Sequence, residues 1–374
     1  MSEIVAYAIP IFTLLLCAEF AWGWHVGRNN YRLGDTLSSL SQGLLSQLVG
    51  LCTQFLTIGI YTLVQARIAL VHADAFWGSW EGIVLATIAY DFLDYWLHRT
   101  GHRSALFWAA HVVHHQSQHF NYSTALRQES FYPVLGFPFF LPMALCGVPP
   151  ETFAIAGLVV LFYQFWIHTE HVGRLGWLDR VFSTPSNHRV HHAVNDGYVD
   201  RNYGAILIVW DRMFGTFAEE RSPCVYGTRT PLESWDPLWT VAQVFTGILR
   251  DAWRTRRWID KLGIWLRPPE WRPADLAARQ PVPAFDLAAM RRYDPPVSRP
   301  AAVAAVIQFV AMSLGAITLL WFADDLALGR VAICSAAIAA GLWVTGALMQ
   351  GRIGPLLALL ADAFLVASAA WILR

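Results

Sequence analysis

Histidine is the residue type through which this chain can do chemistry, and it is concentrated in one window. The 374-residue sequence contains 13 histidines, and eleven of them lie between residues 98 and 192. Eight form three clusters: His98-Arg-Thr-Gly-His102, His111-Val-Val-His114-His115 and His188-Arg-Val-His191-His192. Spacings of three and four place side chains on one face of a helix, so each cluster can aim its imidazoles at a point from a rigid backbone. Imidazole is the commonest biological metal ligand and suits iron, zinc, copper and nickel. A lone histidine is ordinarily a satisfied core or surface residue, and His25, His72 and His119 are read that way. Three recurrences of like spacing, each beside an apolar segment, read instead as a metal site.

Eight imidazoles exceed what one zinc needs, which is four ligands in a structural site and three in a catalytic one. Two metals sharing them fit better. The zincin pattern His-Glu-x-x-His is absent, as is a clear Glu-x-x-His pair of the carboxylate-bridged di-iron bundles. An all-nitrogen di-iron site is the candidate that remains, able to activate dioxygen and take hydrogen from an unactivated carbon. Iron is preferred for its redox chemistry rather than its affinity, and a recombinant sample is expected to accept zinc. Rings held this way need partners for their second nitrogens. Asp91 and Asp94, seven and four residues before His98, share its helical face and could accept an imidazole N–H; Asp94 could equally neutralise Arg99 or Arg103. Glu170, Asp200 and Asp211 are further candidates.

The elements that must position these residues read as membrane helices. The chain is 55% hydrophobic and 14% charged, against about 25% charged in soluble domains. Formal net charge is zero, so nothing points to nucleic acid. The five cysteines form no Cys-x-x-Cys pair, which indicates neither a disulfide framework nor a thiolate zinc site. Phosphate-loop motifs are absent, so a bound dinucleotide or ATP has no support.

Four regions follow. Residues 1–80 hold two apolar runs, Ile4–Trp24 and Leu40–Val64, read as a transmembrane hairpin. Residues 81–230 hold every histidine cluster. Within them, Gly82–Leu97 returns to the basic side and delivers His98. The pair Phe131–Val148 and Thr152–Ile167 is a tilted hairpin or a re-entrant one. Ala205–Phe217 reads as an amphipathic helix lying on the membrane surface. Residues 231–300, rich in Pro, Arg and Trp, form an interfacial segment with no assigned chemistry. Residues 301–374 carry three further spans, Val303–Phe322, Val331–Met349 and Ile353–Leu373. The fold class expected is all-α, a multi-pass integral membrane protein with a histidine-rich di-metal helical domain. Arg28 and Arg32 after the first span, with Arg99 and Arg103 beside the first cluster, place that domain on the cytoplasmic side.

The order of the clusters on membrane hairpins resembles the fatty acid hydroxylase/sterol desaturase superfamily. Asp91-Phe-Leu-Asp-Tyr-Trp-Leu-His98-Arg99 is similar to that superfamily's first box. Four phrases are similar to its ether-lipid branch: Ser123–Gln128, Tyr163–Glu170, Thr184–His192 and Asn202–Phe217. The resemblance covers roughly residues 80 to 230. It implies a membrane di-iron monooxygenase with His98, His102, His111, His114, His115, His188, His191 and His192 as ligands and His168 as a ninth. Some relatives carry another histidine at the position of Gln164, and the ether-lipid branch carries one at Asn187. It also implies a tetrahydrobiopterin-dependent hydroxylation beside an ether oxygen, giving a hemiacetal that breaks to an aldehyde and a glycerol derivative.

The expected partners are a membrane lipid substrate, dioxygen and an external electron donor. Hydroxylation or desaturation of a sterol, carotenoid or aminolipid would use the same site. A histidine-rich metal transporter is the reading from another class; it expects polar residues inside several spans, and the C-terminal spans lack histidine.

Overall fold

A computed structural model describes residues 2–281 and 284–363. Among the described residues the protein is helical and has no strand, only two isolated bridges, Phe182 with Leu207 and Ala193 with Tyr226. The longer helices are α1 (Ser2–His25), α2 (Leu33–Thr53), α3 (Ile58–Ile68), α4 (Trp80–Arg103), α5 (Ala105–His115), α6 (Pro150–Trp166), α7 (Pro185–His192), α8 (Pro237–Arg254), α9 (Trp258–Leu266), α10 (Arg299–Phe322) and α11 (Leu328–Met349). Several start at sequence-encoded caps. Ser79 accepts from the Gly82 amide ahead of α4, and Asp236 accepts from the Leu238 and Trp239 amides ahead of α8.

Three segments are long and apolar enough to cross a bilayer: Leu33–Ile68, Arg299–Asp325 and Leu328–Met349. The protein is an integral membrane protein. The first segment is α2 and α3 joined by a single 3-10 turn at Gln54–Leu56. Shorter apolar helices run over Ile9–His25, Tyr132–Leu145 and Pro150–Trp166. The α4 helix is not among the three, because Glu81, Asp91 and Asp94 interrupt its apolar run. Beyond α11 the chain is helical again from 355 to 363, and the remainder of the expected span Ile353–Leu373 lies outside the described residues.

Two cores carry the scaffold. Leu48 and Leu51 of α2 pack with Ala316, Leu319 and Leu320 of α10 and Leu342 of α11. With no hydrophobic drive between helices in lipid, close packing through small residues does the holding. Gly341 shows this, since a Cβ there would meet the Met312 sulfur at 2.0 Å. The other core joins Tyr61 of α3, Ala86 and Leu97 of α4, Ala156 of α6, and Phe140, Met143 and Val148 between them.

One segment differs in form from the sequence expectation. Ala205–Phe217 is not a surface helix; only Val209–Met213 is helical. The rest is a loop folded onto α4, because two carboxylates collect its amides. Asp91 accepts from the Ile206 and Leu207 amides and the Trp210 indole, and Asp211 accepts from the Tyr203 and Gly204 amides and the Thr216 hydroxyl. Residues 231–300 contain regular amphipathic helices, with α8 and α9 packing on Ala105 and Ala109 of α5 through Ile248 and Ile264.

One close approach links scaffold to site. A Cβ on Gly43 of α2 would stand 2.3 Å from the Leu126 carbonyl oxygen, a backbone atom with little room to yield. Gly43→Ala gains roughly 1 kcal/mol of helix propensity but incurs about 1–3 kcal/mol of overpacking. The expected result is a lower thermal midpoint of the purified protein in detergent; an unchanged or higher midpoint would show that α2 and this loop are not in tight contact.

Candidate metal centre

Four stretches of chain deliver nine imidazoles to one place. His98 and His102 end α4, His111, His114 and His115 end α5, His168 follows α6, and His188, His191 and His192 end α7. All are buried except His98, which is half-buried. They form two groups. His98, His102, His111, His115 and His191 make one; His114, His168, His188 and His192 make the other. In each group one ring nitrogen per residue lies within 4.8 Å of all the others.

The division follows helix geometry. At about 100° per residue, side chains four apart diverge by ~40° and those three apart by ~60° the other way. The pairs 98/102, 111/115 and 188/192, each four apart, therefore serve a common group, while His114 and His191 lean to the opposite one. Each of α5 and α7 thus contributes to both.

Protonation makes the case for a cation. His98 Nδ1 lies 2.8 Å from the Tyr203 carbonyl, His191 Nδ1 2.9 Å from that of Arg201, His114 Nδ1 3.0 Å from that of Arg127, and His168 Nδ1 2.7 Å from that of Gln164. A carbonyl oxygen only accepts, so each Nδ1 carries the proton and each Nε2 presents a bare lone pair. Yet His168 Nε2 is 3.2 Å from His114 Nε2, both of them lacking a proton, whereas His188, with its Nε2 3.0 Å from His168 Nε2, has no acceptor that fixes its tautomer among the described residues. Burial holds these rings well below the usual histidine range, to about 4 for His114, so none relieves the clash by taking a second proton. Lone pairs approach this closely when a cation sits between them. Nitrogens bound at about 2.0–2.1 Å to one ion stand roughly 3.0–3.4 Å apart, which these separations match. In the other group, the Nε2 atoms of His98, His102 and His191 are buried without any partner among the described residues. The residues fit two metal ions.

The supporting carboxylates are distributed differently from the sequence expectation. Asp91 and Asp94 lie on the His98 face of α4, but neither accepts from an imidazole among the described residues. Asp91 is taken by the 206–210 loop, and Asp94 accepts from the Gln164 side chain at 3.4 Å. Gln164 meets His168 through its backbone carbonyl. Asn187 spans backbone carbonyls of Asp179 and Phe182, and Glu170 accepts from the Tyr226 hydroxyl. Asp200 is close to a ring, with Oδ1 3.7 Å from His102 Nδ1 while Oδ2 accepts from Arg103. The carboxylate that does bond an imidazole is Glu129, 2.7 Å from His111 Nδ1, and burial pushes its carboxyl up to about 8. It sits eighteen residues from His111 beyond a turn, a distance that no helical periodicity predicts. The carbonyl partners were equally hidden, since every residue has one.

The loop that offers the Arg201 and Tyr203 carbonyls is held in a costly shape. Asp200 and Asn202 flank them with φ of 60° and 57°, a left-handed conformation that Asn and Asp tolerate best among non-glycine residues. Asn202 secures it by donating to the Asn187 and Ala218 carbonyls and accepting from the Ala218 amide.

Glu129→Gln keeps an acceptor for His111 but removes the carboxylate charge that raises ring basicity above about pH 8, where the group is ionised and the comparison is made. Metal affinity at the five-histidine group should fall by about 10–100-fold, read by chelator competition and metal analysis; affinity equal to the parent protein would show that the carboxylate does not tune the ring.

Comparison with known proteins agrees with this arrangement. Residues 83–216 match the fatty acid hydroxylase family profile. Alkylglycerol monooxygenases are 35% identical over 275 residues in Xenopus tropicalis and 36% identical over 276 in Homo sapiens. Both alignments cover 73% of this chain, and the chain spans about three fifths of those relatives, 60% and 61% of their length. An ornithine lipid hydroxylase of Rhizobium tropici is 29% identical over 227 residues, 58% of this chain and 65% of that protein. No solved structure matches the chain significantly. The stretch that matches the fatty acid hydroxylase profile, residues 83–216, contains all nine converging histidines.

Proposed function

We propose that the protein is a membrane monooxygenase that hydroxylates an alkyl chain of a lipid at a di-iron centre, and that the carbon attacked lies beside an ether oxygen. The observation that carries this is the pair of interleaved all-imidazole groups inside a fatty acid hydroxylase domain whose relatives include alkylglycerol monooxygenases. Overall, one oxygen atom of dioxygen enters a C–H bond, and two electrons and two protons from a donor reduce the other to water. A tetrahydropterin is the donor suggested by likeness to the ether-lipid branch. A hydroxyl placed beside an ether oxygen makes a hemiacetal, which breaks to a fatty aldehyde and a free glycerol hydroxyl.

In this reading His98, His102, His111, His115 and His191 hold one iron, and His114, His168, His188 and His192 hold the other. The irons would supply the dioxygen reduction and C–H abstraction that no side chain can perform. The chain's own contributions are orientation and exclusion of water. Carbonyls of Gln164, Arg127, Arg201 and Tyr203 fix four tautomers, and Glu129 orients the His111 ring. Tyr203, buried and packed 5.2–5.9 Å from the rings of His98, His102 and His191, closes the site on one side. Residues 81–230 serve as the catalytic unit, the helices of 1–80 and 301–374 as membrane anchors, and 231–300 as an interfacial cover. Arg28, Arg32, Arg99 and Arg103 favour a cytoplasmic position for the site, where reductants are available.

Membranes containing the protein, supplied with an alkylglycerol, a tetrahydropterin and 18O2, should yield fatty aldehyde with consumption of the reductant. An intact lipid gaining one labelled hydroxyl would redirect the assignment to simple hydroxylation, the activity named for the ornithine lipid relative. Absence of any oxygenated product from iron-loaded protein with a full lipid extract would overturn it. His111→Ala and His191→Ala should each remove turnover while the protein stays in the membrane; full activity in either would refute their ligand roles. Zinc-loaded protein should be inactive, because zinc has no accessible redox change.

A further inference from the structure

A cleft of about 200 Å³ opens beside the four-histidine group. Arg28, Arg32 and Arg292 line it, brought together from widely separated parts of the chain. Among the described residues none of the three has a carboxylate within ion-pair distance. Glu170 is the single acid in the lining. His119, 8% exposed, also lines the cleft, and its ring has no hydrogen-bond partner among the described residues. His171 Nε2 is shielded from solvent and likewise unpartnered.

The cleft is built, not incidental. Asn30 donates to the Phe120 carbonyl at 2.6 Å and accepts at its own carbonyl from Asn121 at 2.9 Å, which clamps the Arg28–Arg32 loop to the short helical turn Tyr122–Ala125 and its cap Asn121. The loop follows exposed Trp22 and Trp24 at the end of α1, the position at which aromatic residues mark the headgroup level of a bilayer. Phe120 separates cleft from metal group: its ring stacks on Tyr226 at 5.0 Å and lies 5.4 Å from His168 and 5.2 Å from His192.

We propose that this cleft binds the phosphate of a phosphate-bearing alkyl lipid, so that the carbons next to the headgroup are presented toward the histidine groups. Guanidinium groups match phosphate in charge and fork geometry. A neutral glycerol headgroup would leave the three guanidinium groups of the lining facing Glu170 as the one lining carboxylate, with Asp35 and Asp294 as the further acids acting on His119. The assignment rests on the function proposed above and narrows its substrate to anionic lipids.

The test uses the full chain in an uncharged detergent and needs no turnover. Dissociation constants are measured at low salt for a 1-O-alkylglycerol 3-phosphate and for the 1-O-alkylglycerol of equal chain length. The phosphorylated lipid should bind at least about tenfold tighter, as expected for charge-assisted hydrogen bonds. Raising the salt should erode the difference. Arg28→Gln with Arg292→Gln should abolish the preference in protein of unchanged thermal midpoint; Arg292→Gln alone serves if the pair impairs folding. Competition by millimolar inorganic phosphate supports a site open to soluble phosphates as well, and lack of competition supports a lipid source. Equal binding of charged and neutral lipids by the parent protein, or a preference that survives substitution in folded protein, overturns the proposal. Preferential binding without oxygenation would discard the enzymatic reading and leave the cleft assignment standing; oxygenation without preference would do the reverse.

Discussion

An imidazole can point a lone pair inward only while its other nitrogen holds the proton, and in this protein backbone carbonyls enforce that choice. Gln164, Arg127, Arg201 and Tyr203 each lend a carbonyl to one ring. A carbonyl has no alternative protonation state, so the tautomer is fixed by chain geometry rather than by pH. The remaining architecture serves to bring those carbonyls and rings together. Helix ends supply rings, because side chains there converge; loops and the last turn of α6 supply carbonyls, because their oxygens are not consumed by a helical ladder.

Those loops are tied to the membrane helices by buried polar groups. Glu19 of α1 accepts from the Tyr31 and Thr169 hydroxyls and the Tyr122 amide, reaching the residue beside His168. Asp35 of α2 accepts from the Ser117 hydroxyl and the Gln118 amide just after α5. Arg127, fully buried, donates to the Val113 carbonyl and the Ser38 hydroxyl while its own carbonyl holds His114. Polar groups at such depth are costly unless paired, and here α1 and α2, both apolar helices, are joined by these pairings to segments that carry or border a site histidine. The bilayer anchor and the histidine centre are therefore one mechanical unit.

The parts legible in the sequence were those with local periodicity. The helical class, the apolar segments over 33–68 and 299–349, and the histidine clusters are all patterns of spacing within one helix. What lay beyond it depended on contacts between distant segments. Asp91 looked like an imidazole partner from its position on α4, yet the 206–210 loop occupies it. Ala205–Phe217 read as a surface helix, but Asp91 took its Ile206 and Leu207 amides, and Asp211 anchored the Tyr203 and Gly204 amides just before it. Glu129 carried no signal, because its meeting with His111 is made by the fold.

The interleaving of the nine rings has a consequence for assembly. Since α5 and α7 each divide their histidines between the two groups, neither group would offer an ion a private cradle. Seating the first ion orders rings that the second will use, and extracting one loosens the other. Occupancy is thus expected to behave as a shared property of the pair, with half-filled molecules scarce, as in any lattice where two guests brace the same walls.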